Sequence, residues 1–138
     1  FAKAFVGLMD NKHAIGEAFQ ITADEQLTWN QIHEIVAEAL GVKLIPYHVS
    51  SYFLAEVGKQ YDLEGGLIGD KACTVIFDNT KVKRAVPGFV ATKNFDQGAR
   101  EAVTYMLQHE ELQTPDPEFD AWCDRIIAAM EKAKKELM

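Results

Sequence analysis

The residues with the clearest capacity to bind a ligand lie in the glycine-rich stretch GGLIGDK, residues 65–71. Gly69 supplies a permissive backbone, Asp70 a carboxylate and Lys71 an ammonium group. Four glycines and the lack of periodicity between residues 58 and 69 predict a mobile loop. We expect this loop, extended to residue 72, to form part of a ligand-binding face. The alternative is a plain connection between two elements, with Lys71 facing solvent.

His48 and Tyr52 are the second group of candidate binding residues. The stretch VKLIPYHV, residues 42–49, has the composition of a strand, although Pro46 limits it to an edge position or a strand end. Ligands gather beyond the carboxyl ends of strands in open α/β sheets. We therefore predict that His48 and Tyr52 complete the binding face with the loop of residues 58–72.

The sequence shows no complete catalytic or metal site. It contains no glycine-rich nucleotide fingerprint, P-loop, serine nucleophile elbow or His-Glu-x-x-His motif. The four histidines lack the spacing that metal ligands prefer. Cys73 and Cys123 are too few for a disulfide framework, and their apolar neighbours predict reduced thiols in the core of a cytosolic protein. We therefore assign no catalytic residue and no metal ligand.

The composition limits the classes of partner. The 138 residues, 48% of them hydrophobic, predict one domain with a sizeable core. Fourteen basic and 21 acidic residues give a net charge of −7, which disfavours DNA because phosphate-binding proteins carry a basic face. We interpret the local basic cluster of Lys81, Lys83 and Arg84 as a solvated helix face. No apolar run could cross a bilayer and no signal peptide is visible, so we expect a cytoplasmic protein without membrane contact.

Apolar and capping patterns predict an α/β fold with a small, partly parallel sheet and several packed helices. Strands are expected at residues 17–22, 42–49 and 73–77, although the last is equally compatible with a buried connection. Apolar residues at helical spacing from Phe1 predict a first helix without a cap, which suggests a fragment of a longer protein. Five further helices are predicted from caps at Thr28, Ser50 or Ser51, Asp78 or Asn79, Asn94, and Asp116.

The last predicted helix carries a wide apolar stripe, from Phe119 to Leu137, that needs a partner surface. We divide the chain into a lobe of residues 1–112 and this amphipathic helix, residues 113–138. The stripe is suited to packing on the lobe, on another domain or on a second copy of the chain. A homodimer is therefore one of the open alternatives.

Three pieces of the sequence resemble a known family. The first is a strand that ends on Thr22 before a capped helix, the second is DNTKVKR (residues 78–84) and the third is FDQGAR (residues 95–100). In this order and spacing, over about residues 1–109, the chain resembles the C-terminal substrate-binding part of extended short-chain dehydrogenase/reductases, the NAD-dependent epimerase/dehydratase family.

The resemblance implies a Rossmann-type oxidoreductase or isomerase whose N-terminal domain binds NAD(P) and carries a catalytic Tyr-x-x-x-Lys. The sequence contains neither that domain nor that motif, so the resemblance implies a chain that binds no cofactor and is inactive alone. Its implied partners are the missing Rossmann domain and a small, sugar-like substrate. A non-catalytic interaction or RNA-binding module of the same superfamily is the alternative.

One departure from the family pattern bears on the substrate. Nucleotide-sugar members of the family that the chain resembles often carry Arg-x-Gly-Asp where this sequence has Leu67-Ile68-Gly69-Asp70. The aspartate matches, but leucine cannot replace an arginine that donates two hydrogen bonds to phosphate. The missing arginine therefore argues against a UDP-sugar as the substrate.

Overall fold

The protein is all-helical. The computed structural model describes every residue from Phe1 to Met138, with 62% of them in helix and none in a strand. The α/β prediction, with its partly parallel sheet, is therefore wrong. The six α-helices are α1 (Ala2–Met9), α2 (Trp29–Leu40), α3 (Ser51–Val57), α4 (Thr80–Ala85), α5 (Phe95–Gln108) and α6 (Pro117–Leu137).

Helix α2 begins and ends where its local signals predict. The Thr28 hydroxyl accepts a hydrogen bond from the Gln31 backbone N–H, and the Gln31 side chain accepts one from the Thr28 N–H, which completes a capping box. Gly41 ends the helix with φ +71°, a left-handed conformation in which a side chain would be strained. The apolar face of α2 packs against α5, and Ala37 and Ala99 are buried on these two helices.

Helix α6 is anchored through its first half. The Asp116 side chain accepts a hydrogen bond from the Phe119 N–H, as its predicted cap requires. Tyr61 lies with its ring centroid 5.1 Å from that of Phe119 and 5.0 Å from that of Trp122. Trp122 also lies so close to Gly58 that a Cβ at residue 58 would come within 2.8 Å of the indole. The beginning of the apolar stripe is therefore covered by the chain itself.

The main core is small and joins α1 to α4. Ala4 and Val82 are completely buried and pack with Phe89. Only eight of the 138 residues are buried, and the accessible surface is 11004 Å². The predicted sizeable core is therefore not present, and many large apolar side chains remain exposed.

The three predicted strands are irregular segments. Residues 17–22, 42–49 and 73–77 have β-favouring composition, but none lies beside another so that their backbones pair. A strand needs such a neighbour, because composition alone supplies no partner for its N–H and C=O groups. Residues 73–77 are exposed, so the alternative of a buried connection is also wrong, and Cys73 is an exposed thiol.

Two further local predictions are corrected by the structure. Residues 58–69, expected to be a loop without periodic structure, include a 3₁₀-helix at Lys59–Tyr61, and a π-helix occupies Gly65–Asp70. Neither Asn94 at the start of α5 nor Ser50 at the start of α3 caps its helix through its side chain. None of the helices combines the length and the apolar character that crossing a membrane requires.

Candidate functional site

An open cleft of about 1250 Å³ lies between two irregular parts of the chain. One wall is formed by residues 22–29, which lead into α2, with Ile32 on the first turns of that helix. The other wall is formed by residues 70–80, which lead into α4, together with Lys83. Both walls run into a helix, so the cleft is held by two helix N-terminal regions.

Asn79 joins the two walls. Its side-chain amide donates hydrogen bonds of 3.0 Å to the carbonyl oxygen of Thr22 and of 3.0 Å to the carboxylate of Asp24. Asn79 is only 6% exposed, so these bonds satisfy a polar group that would be costly to bury alone. The position of one wall relative to the other therefore depends on this side chain.

Lys83 adds a charged contact between the same walls. Its ammonium group lies 2.6 and 2.8 Å from the two carboxylate oxygens of Asp24. The pKa of Asp24 lies below its ordinary value of 3.8. The bonds from Lys83 are the largest cause, and the bond from Asn79 is the next largest. Asp24 is therefore a carboxylate at neutral pH, and the positive charge of Lys83 is already compensated.

The loop of residues 22–25 also contacts α5. A Glu25 carboxylate oxygen accepts a hydrogen bond of 2.7 Å from the backbone N–H of Phe95, the first residue of that helix. This bond satisfies an N–H group at the start of α5, where the Asn94 side chain makes no capping bond. Side chains from α4 and its N-cap and the first N–H of α5 thus all contact residues 22–25.

Asp70 and Lys71, predicted as binding residues, line the cleft and lie at the end of the π-helix. Their side chains form an ion pair of 2.8 Å and both are well exposed. Gly69 precedes them but does not line the cleft. The structure therefore brings two of the five predicted binding residues to one site.

The other two predicted residues lie outside the cleft. His48 has its Nε2 atom 3.0 Å from the Asn30 side-chain oxygen, and Tyr52 is 70% exposed on α3. The expected binding face rested on a strand end near His48, and there is no strand there. The cleft instead contains residues that the prediction did not include as ligand contacts: Thr22, Asp24, Glu25, Trp29 and Asn79.

Thr22 has one feature that the sequence does not reveal. Its hydroxyl oxygen is buried and has no hydrogen-bond partner in the protein. Most buried polar atoms are paired, so this oxygen calls for a partner from solvent or a ligand. In the sequence Thr22 is marked only as the last residue of the predicted strand at residues 17–22, and the structure contains no strand there.

The basic cluster is largely neutralised by ion pairs. Lys81 lies 2.6 Å from the Glu17 carboxylate, and Lys83 is paired with Asp24. Arg84 lies near Asp78, whose pKa is lowered chiefly by hydrogen bonding to Thr80. With two of its three cations engaged, this cluster presents little free positive charge to a phosphate backbone.

The cleft is equipped for binding through hydrogen bonds. Its lining combines carboxylates, hydroxyls and the amides of Gln26 and Asn79 with the apolar surface of Trp29 and Ile32, and it includes no histidine or arginine. No group of three histidine, cysteine or acidic side chains is placed to hold a metal ion. Comparison of the chain with protein-family models, with curated proteins and with solved structures gives no match.

Proposed function

We propose that this chain is the substrate-binding lobe of an NAD(P)-dependent epimerase, dehydratase or reductase. The supporting observation is that two of the family-like segments, DNTKVKR and FDQGAR, both contact residues 22–25, although the strand expected to end on Thr22 is absent. Asn79 and Lys83 reach this loop from α4, and the Phe95 N–H reaches it from α5. Asn79 and Lys83 line the cleft themselves, whereas Phe95 is connected to it only through Glu25.

The substrate proposed for the cleft is a small, neutral, hydroxyl-rich molecule. The lining offers acceptors on Asp24 and Asp70 and on the side-chain oxygen of Asn79, whose amide hydrogens are already donated to Thr22 and Asp24. Its two ammonium groups, Lys71 and Lys83, are each paired with an aspartate. A phosphorylated substrate would have to compete with those aspartates, whereas a sugar hydroxyl would hydrogen-bond to them.

In this proposal the chain binds and orients substrate but performs no redox step alone. NAD(P) and the catalytic tyrosine and lysine belong to a Rossmann domain outside these residues. The RNA-binding alternative has less support, because Lys81 and Lys83 are both held in ion pairs.

The substrate proposal is tested by titrating isotope-labelled protein with D-glucose, D-xylose and UDP while recording amide NMR spectra. The two sugars are expected to shift amides of residues 22–25 and 70–80, and UDP is expected to shift none of them. Asp70→Asn should weaken the sugar response. Asp62→Asn, which replaces an exposed aspartate outside the cleft, is the matched control.

Two results would count against the proposal. Absence of any sugar response in the cleft would remove the substrate assignment. Binding of NADH by this chain alone, followed by nicotinamide fluorescence, would contradict the assignment of the cofactor to another domain.

A further inference from the structure

The two walls of the cleft differ in how firmly they are held. Residues 22–29, called here the α2 wall, are bonded to distant parts of the chain: Asp24 accepts a hydrogen bond from Asn79, and Glu25 accepts one from the start of α5. Residues 73–77 of the other wall make no backbone–backbone hydrogen bond. A ligand bound to the α2 wall therefore meets groups that are already in place, and less conformational entropy is lost on binding.

Trp29 is the large aromatic side chain of the α2 wall. It is the first residue of α2 and directly follows Thr28, whose capping box with Gln31 fixes the start of the helix. The ring centroid of His33, one turn later, lies 6.3 Å from that of the indole. Trp29 lines the cleft and is 53% exposed, whereas Trp122, the only other tryptophan, is 6% exposed. The cleft therefore contains a flat aromatic surface at a fixed position of the backbone.

The size of the cleft makes such a surface important for a small ligand. Its volume of about 1250 Å³ exceeds the roughly 300–1,000 Å³ of common small-molecule pockets. A single sugar ring cannot fill this volume, so most of its contacts have to come from one wall. Hydroxyl groups exchange hydrogen bonds with water for hydrogen bonds with the protein, and the net gain is modest. An apolar contact has to supply the rest of the affinity.

We infer that the α2 wall binds a six-membered sugar ring, with one C–H face of the ring stacked on the Trp29 indole and hydroxyls donating hydrogen bonds to Asp24 and Glu25. The face of an aromatic ring carries negative charge density, which attracts the slightly positive C–H groups. The hydroxyls lie at the edge of the sugar ring, so stacking leaves them free to bond carboxylates. Glu25 uses one carboxylate oxygen for the Phe95 N–H, and its second oxygen remains an acceptor.

This inference rests on the proposed function and defines the substrate class within it as a cyclic polyol. Rigidity distinguishes a sugar ring from an open chain. D-Xylose, in its six-membered ring form, and xylitol have the same number of carbon atoms and similar hydroxyl groups. Xylitol has to lose rotation about its C–C bonds before it presents a flat face, and this ordering opposes binding. D-Xylose is therefore expected to bind more tightly than xylitol, by a factor of about five or more.

NMR titration of the isotope-labelled chain with D-xylose and xylitol tests the stacking directly. The chain gives two indole N–H signals, one from Trp29 and one from Trp122. D-Xylose is expected to shift the Trp29 signal and to leave the signal of the buried Trp122 in place. If the amides of residues 22–25 respond while the Trp29 signal does not move, or if both polyols bind equally, the stacking is wrong and the substrate assignment stands. If no amide of the cleft responds to D-xylose, the substrate assignment is removed and the stacking with it.

Variants at Trp29 measure the contribution of the indole. Trp29→Ala should raise the dissociation constant for D-xylose by about tenfold, because stacking on an aromatic side chain contributes a factor of that order. Trp29→Phe keeps part of the aromatic face and should cause a smaller rise. Tyr105→Ala is the matched control, since Tyr105 is 55% exposed on α5 and does not line the cleft. Circular dichroism checks that each variant is helical.

The comparison between the variants decides whether the indole is the contact. A rise in the dissociation constant for Trp29→Ala that is no larger than the rise for Tyr105→Ala would overturn the inference. The indole signal of the unmodified chain requires no variant to fold, so it gives the answer if Trp29→Ala is not helical.

Discussion

The side chain of Asn79 donates a hydrogen bond of 3.0 Å to the backbone carbonyl of Thr22, across 57 positions of sequence. This bond, with the one to Asp24, connects the two walls of the cleft where α4 begins. A single amide thus couples the candidate binding site to the stability of the fold.

Asn79→Ala is expected to lower the free energy of unfolding by about 1–3 kcal/mol. The substitution removes the hydrogen-bond donor to the Thr22 carbonyl and one of the donors to the Asp24 carboxylate. Urea denaturation measures the change. Asn94→Ala is the matched control, because the exposed Asn94 side chain forms no capping bond and its loss should cost much less. Equal effects of the two substitutions would contradict the importance of the contact between the walls.

Thr28→Ala should lower the free energy of unfolding by about 1 kcal/mol, since it removes the capping box of α2. Ser50→Ala is the corresponding change at the start of α3, where the serine side chain makes no capping hydrogen bond. We expect a clear loss for Thr28→Ala and little change for Ser50→Ala in the same thermal or urea melts. A cost at Ser50 as large as that at Thr28 would show that the capping bond is not the cause.

Gly58→Ala should destabilise the contact between α6 and the end of α3. A Cβ at residue 58 would lie 2.8 Å from the Trp122 indole and 2.8 Å from the Leu54 carbonyl oxygen, so one of them has to move. Overpacking of this kind costs about 1–3 kcal/mol. The displacement can be followed by Trp122 fluorescence in a Trp29→Phe background. Gly65→Ala serves as control because a Cβ there meets no atom within 4 Å.

The contact between Asp24 and Lys83 should give stability that depends on pH in the acid range. The folded protein lowers the pKa of Asp24 below 3.8, so the contribution is present above that value. It is lost as the pH falls through the lower pKa of the folded state. Lys83→Met should raise the pKa of Asp24, measured by NMR of its carboxyl carbon.

Lys93→Met is the control for that titration, because Lys93 pairs with Glu101 rather than with Asp24. It should raise the pKa of Glu101, which Lys93 lowers, and leave that of Asp24 in place. An Asp24 titration that does not respond to Lys83→Met would show that the ion pair is absent in solution.

The helices were predictable where their signals are local. Thr28, Gln31 and Gly41 define α2 within a few residues of its ends, and Asp116 does the same for the start of α6. These side chains act on neighbouring backbone groups, so distant parts of the chain have little influence on them. The predicted cap at Asn94 is wrong. The first N–H of α5 instead donates a hydrogen bond to Glu25, which is distant in the sequence.

The sheet was not predictable from composition because strand formation depends on a neighbour. Residues 73–77 have the side chains of a strand, yet the structure places no second strand beside them. The cleft could not be predicted from the sequence for a related reason. Asp70 and Lys71 could be identified from their glycine-rich surroundings, but their association with Thr22 and Asn79 requires long-range folding.

The small core between α1 and α4 has a consequence for how the protein folds. Ala4 and Val82 meet there although α2 and α3 lie between them in the sequence. Closing such a long stretch of chain costs conformational entropy before any contact compensates for it, and contacts of this kind slow folding. Helix α2 needs only its own residues and its caps to begin, so the joining of α1 to α4 is expected to be the late, rate-limiting step.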